Sequence, residues 1–206
     1  MILNDFINSL VGSELRSLAV AEEPEMIVSF INTGIIELYN KFPIKTEEYT
    51  IQVEEGKTIY ELPEDFLYII SASEYTDTGI DSGVASMPIN ETNNLNSLNT
   101  VSFNQVQIPL NIEGREVYVI YVPKPRVLSH ERLHEEIPVP DVMLQALMSF
   151  VGFKGHGAIH LDGQSKNADV YYARFRQLCD ELSLRSTPIA PDSLDMGDRL
   201  FTRGFP

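Results

Sequence analysis

The chain has 206 residues, 43% of them hydrophobic, and carries 15 Lys+Arg against 30 Asp+Glu, a formal net charge of −15. That length fits one medium domain, or one domain with a large insertion, and the apolar content is enough for a real core. The acidity argues against a module that grips nucleic acid, since phosphate binding wants a cationic footprint, but not against a surface that DNA slides past.

The chain opens with MILNDFINSLVG, which lacks the basic region of a secretory signal, so a cytosolic origin is expected. No apolar run approaches the ~20 residues of a membrane span. Over residues 2–20, Ile2, Leu3, Phe6, Ile7, Leu10, Val11, Leu15 and Leu18 recur at helical spacing, with a possible break at Gly12-Ser13. Glu22-Glu23-Pro24-Glu25 then opens a second helix, because proline suits the first turn and carboxylates there complement the helix dipole. Its apolar positions are Ile27, Phe30, Ile31, Gly34, Ile35, Leu38 and Tyr39, and it ends at Phe42-Pro43.

The middle changes character. Glu48–Val53 alternates, Glu54–Lys57 reads as a turn and Thr58–Leu62 is extended again, which predicts a β-hairpin. Phe66–Tyr75 is rich in β-formers and predicts a strand. Residues 77–99 abound in Gly, Ser, Asn and Thr and predict a long loop. Val101–Leu110 and Glu116–Val122 predict a second hairpin over Asn111–Gly114. In the last strand both faces are apolar, so it should be central or covered by a partner. Acidity concentrates here: residues 43–137 hold 16 acidic and 6 basic residues, whereas 138–185 hold 5 of each.

Pro138 and Pro140 stop the extended segment, and Asp141 is a natural N-cap for a helix bearing Val142, Leu144, Leu147, Met148, Val151 and Phe153. After a polar break containing Gly163, a second stripe runs through Ala168, Tyr171, Tyr172, Phe175, Leu178, Cys179 and Leu182. This predicts a helical hairpin whose partners are the N-terminal helices, with Cys179 as a small buried hydrophobe. The fold class is therefore α+β: an antiparallel helical bundle from both chain ends (1–42 and 138–185), a small antiparallel sheet inserted at 43–137, and an extended tail at 186–206. In that tail Leu200, Phe201, Arg203 and Phe205 form an apolar-basic patch suited to docking on a partner.

Chemistry has little to hold. His156 and His160 stand four apart with Asp162 nearby, but HGAIH lacks a metalloprotease glutamate and no third ligand is obvious. His130 and His134 lie in an acidic turn. Glu54/Glu55 and Glu135/Glu136 could mimic an acid–base pair, yet nothing places either in a pocket. There is no GxSxG, Walker loop, GxGxxG or Cys/His cluster, so no enzyme and no cofactor is expected.

The order of segments resembles the head-to-tail adaptor (connector) proteins of tailed bacteriophages. The resemblance runs through Tyr60-Glu61-Leu62-Pro63-Glu64-Asp65-Phe66, a strand of the type YxxxP (Tyr118–Pro125) and the acidic-to-proline step Glu135–Pro140. It continues with a helix ending in a glycine-rich turn (Gly152–Gly157) and Ala168, Tyr171/Tyr172 and Phe175. It covers roughly residues 2–185, and loop 77–99 is not part of it. The resemblance implies a non-enzymatic virion protein, assembled in the host cytoplasm, that forms a ring, commonly of twelve copies. The implied partners are the portal, neighbouring copies and a downstream tail or nozzle protein, with genomic DNA passing through the channel unbound and no membrane. It also implies that the tail patch docks on the portal. Two other readings stand beside it: a soluble enzyme or metal-binding domain using His156, His160 and Asp162, and a generic acidic interaction module.

Overall fold

The computed structural model describes residues 1–16, 18–77, 82–91, 93–112, 114–158 and 165–186. Helix α1 (Leu3–Gly12), a 3-10 turn (Ala19–Glu22) and helix α2 (Pro24–Lys41) lead into strands β1 (Glu47–Gln52), β2 (Ile59–Glu61), β3 (Phe66–Asp77), β4 (Ser82–Met87), β5 (Asn99–Ser102) and β6 (Gln105–Gln107). A 3-10 turn (Leu110–Ile112), strand β7 (Glu116–Pro123), a further 3-10 turn (Asp141–Met143) and helices α3 (Leu144–Gly157) and α4 (Ser165–Ser186) follow. The class is α+β, with four helices and two small antiparallel sheets.

The helices share one apolar core. Leu3, Phe6 and Leu10 of α1, Ile31 and Leu38 of α2, Leu147 of α3 and Phe175 of α4 are all buried in it. Gly12 ends α1, as its low helix propensity suggests, and Pro24 opens α2. No side chain caps α1. Its orphan amides instead donate to the turn-rich segment before α3: Leu3 N to Glu135 O at 2.8 Å and Asn4 N to Leu133 O at 2.9 Å. The same segment is pinned to α2 by the Asn32 amide, which donates to Leu128 O and accepts from Leu128 N, both at 2.9 Å. Tyr39 donates to Pro138 O at 2.9 Å.

A second core lies between the sheets, whose strand orders are β1-β7-β3-β4 and β2-β6-β5. Val117, Val119 and Tyr121 of β7 join Ile51, Ala72 and Met87 on one side, with Tyr60, Val106 and Ile108 opposite. β7 is one of the two inner strands of its sheet, paired with β1 and with β3.

Several expectations are corrected. Glu48–Leu62 is not a hairpin: β1 pairs with β7 and β2 with β6, because Ile51 and Tyr60 serve opposite walls of the same core. Val101–Leu110 does not pair with Glu116–Val122 either. β5 and β6 form their own hairpin over Phe103-Asn104, and β7 inserts between β1 and β3. Residues 77–99 are not all loop, since β4 pairs along β3 and Ile89 bridges Leu98. Small polar residues hid a strand whose cohesion is backbone pairing plus the buried Met87.

Asp141 is not an N-cap. It sits in a 3-10 turn before α3, its carboxylate exposed, and that turn carries Val142 off the apolar stripe to 67% exposure. Gly152–Gly157 is not a turn but the last part of α3. A Cβ at Gly152 would stand 2.9 Å from the Tyr171 ring, and one at Gly155 would stand 2.5 Å from Leu15. These glycines are there for close helix approach. Cys179 is buried, as expected of a small hydrophobe, and burial pushes its thiol up. Gly163 lies outside the described residues.

Candidate functional site

The segment Tyr60–Phe66 fastens the two sheets together. The Tyr60 hydroxyl accepts from Glu54 N at 2.8 Å and donates to Lys57 O at 3.0 Å, closing the turn between β1 and β2. Leu62 and Phe66 enter the core between the sheets, and Phe66 N donates to Pro63 O at 3.0 Å across the turn into β3. Asp65 accepts from Lys124 N at 2.5 Å through its carbonyl and lies 3.2 Å from the Tyr121 hydroxyl through its carboxylate. That hydroxyl is also 3.2 Å from Glu47, which is itself paired with Lys45 at 2.5 Å. Burial, then the charge of Asp65 and the bond to Glu47, push Tyr121 up to about 12. The group stays a proton donor, so this cluster is a fastening and not an acid–base pair.

His156 is buried between α3, α4 and the turn after α1. Its Nε2 lies 3.1 Å from Glu14 O, and its ring stacks on Tyr171 at 4.9 Å and 19°. With Nε2 the donor, Nδ1 is left as a buried acceptor without a partner among the described residues. Tyr171 in turn bonds the Glu14 carboxylate, and burial with that bond pushes it up to about 12. His160 and Asp162 lie outside the described residues. Among the described residues no group of three or more His, Cys, Asp or Glu gathers as metal ligands would. His130 is exposed and 3.4 Å from Glu25, Glu54 pairs with Lys57 at 2.8 Å, and Glu135 pairs with Arg132 at 2.8 Å. Glu54 and Glu135 are thus each paired with a cation.

The surfaces are more distinctive. Opposite the core, β7 turns Glu116, Tyr118 and Ile120 outward, beside Thr50 and Glu48 of β1 and Ser71, Ser73 and Tyr75 of β3. Ile120 and Tyr75 are each 38% exposed. Hydrogen bonds from Tyr118, then from Gln52, hold the Glu116 carboxyl below the usual range. At the tip of the β5–β6 hairpin Phe103 is 98% exposed, beside an open cleft of about 680 Å³ lined by Phe66, Tyr68, Ile69, Ile89 and Val101. The two-faced apolar pattern of β7 pointed to the first surface. The second surface carries no periodicity that sequence reasoning could use, since Phe103 is a single aromatic residue in a tight turn. Leu200, Phe201, Arg203 and Phe205 lie outside the described residues.

No helix among the described residues is long and apolar enough to cross a membrane. A family model described as SU10 adaptor protein matches residues 1–192, nearly the whole chain. No curated protein matches it. With both the segment order and that match in place, the chain belongs to the SU10 adaptor protein family, a family of bacteriophage head-to-tail adaptors and components of the virion.

Proposed function

We propose that this adaptor assembles into a ring, of twelve copies, that joins the portal to the tail and lines part of the DNA channel. The observation that carries the reading is the family match over residues 1–192. Two physical features support it. The acidity of residues 43–137, 16 acidic against 6 basic, gives a wall that repels the phosphate backbone and lets DNA pass. The exposed Ile120, Tyr75 and Phe103 give apolar surface for a heterologous contact, in which one face of a copy meets a different face of the next. In this reading residues 1–42 and 138–185 form the helical unit, 43–137 the inserted unit, and the apolar-basic tail docks on the portal.

Loss of the gene product tests the reading in particles. Phage lacking this chain should accumulate heads that package and then lose DNA, with portals present and tails absent. Normal tailed particles without it would contradict the proposal.

A further inference from the structure

Strands β1 and β2 follow one another in the chain but belong to different sheets, and each lies at the edge of its own. The backbone hydrogen bonds fix which groups face the open side. Val53 N donates to Arg115 O at 3.0 Å. Bonded pairs recur at every second residue of an antiparallel ladder. Ile51 and Tyr49 therefore bond β7 as well, and Glu48, Thr50 and Gln52 turn their N–H and C=O groups to the edge. On the other sheet, Leu62 N donates to Asn104 O at 2.7 Å and Ile108 N to Thr58 O at 2.8 Å. That commits Thr58, Tyr60 and Leu62 to the β6 side and leaves Ile59 and Glu61 facing out. Both rows border one groove of about 530 Å³, whose lining includes Thr50, Gln52, Ile59 and Glu61. Two strand edges, neither with a backbone partner among the described residues, thus wall the same seam.

The side chains say what would fit. Tyr49 is 36% and Ile59 49% exposed, giving the seam an apolar floor. Glu54 and Glu61 line it and Glu48 stands beside it, while the cation in the lining, Lys57, is already held by Glu54 at 2.8 Å. An extended segment entering here can pair with an open edge of the seam, apolar side chains inward and cationic ones outward, and so cover an exposed edge.

We propose that the β1–β2 seam is a strand-addition site for an extended, net-cationic segment of a different virion protein, with apolar residues alternating with Lys or Arg. A second copy is the poorer occupant, because each copy carries a net charge of −15 and 43–137 is its most acidic part. The proposal takes from the adaptor reading only the source of the partner and holds whether or not copies form a ring.

The test is photo-crosslinking in assembled particles carrying benzoylphenylalanine in place of Ile59, with the attached peptide sequenced by mass spectrometry. The expected product is a net-cationic, alternating segment of another chain. Thr50→Pro removes one outward N–H without touching the β7 ladder, and Glu61→Lys reverses a rim charge. Each should lower the crosslink yield at least tenfold while thermal melting of the free protein stays unchanged, so one suffices if the other misfolds. Crosslinking to another copy of this chain, an acidic partner segment, no crosslink, or a yield indifferent to the folded variant overturns the proposal.

Discussion

Gly152→Ala is the sharpest test of how the helices meet. Alanine in a helix interior is favoured over glycine by about 1 kcal/mol, so in open space the change stabilises. Here the added methyl would lie 2.9, 3.1 and 3.2 Å from Cδ1, Cε1 and Cγ of Tyr171. Those three atoms belong to one ring, which is stacked on His156 and tied through its hydroxyl to Glu14, so no rotation relieves all the contacts. Overpacking of this kind costs roughly 1–3 kcal/mol, more where neighbours cannot move. The net expectation is a loss of up to about 2 kcal/mol, or on the order of 6 °C in Tm for a chain of this size. Gly12→Ala, where nothing lies within 4 Å of the new methyl, is the control and should be neutral to mildly stabilising. Urea unfolding followed by circular dichroism measures both. If Gly152→Ala matches or exceeds the parent in midpoint at unchanged slope, close approach is not why glycine stands there.

Asn32→Ala removes both bonds to the Leu128 backbone and should cost roughly 2 kcal/mol, with faster hydrogen exchange at the Leu128 amide; unchanged exchange would show that the segment needs no such pin. Tyr121 and Tyr171 are both raised to about 12. Because the folded state favours the neutral phenol, their contribution is complete below the unfolded value of about 10 and is lost as pH climbs through 12. Tyrosinate absorbance should therefore lag for these two, with stability falling between those values, and simultaneous titration of all tyrosines would refute it. Ile120→Glu and Phe103→Ser alter exposed positions, so each should leave Tm within about 2 °C while weakening self-association in sedimentation; a loss of folding would mean these side chains belong to the core.

The helices were legible because their apolar stripes are long and their boundaries carry strong signals, such as Pro24 and the Gly12-Ser13 step. Strand existence was partly legible and strand pairing was not. Alternation in Glu48–Val53 and Thr58–Leu62 says which residues face inward, but not that β1 and β2 face one another across a shared core instead of pairing. β4 escaped because SGVASM has few β-formers and is held by its neighbour β3. The family resemblance puts a turn at the glycines of α3, and only the facing Tyr171 and Leu15 reveal their role in close helix packing. The family was legible from the order of short motifs. Chemistry within single residues, including His156, pointed to packing.

The central claim is assembly, and solution mass tests it most directly. Light scattering across a concentration series, with and without portal protein, should find particles near twelve protomers of 23.2 kDa, formed by concentration or on the portal. A strict monomer at every concentration, indifferent to the portal, would contradict the ring.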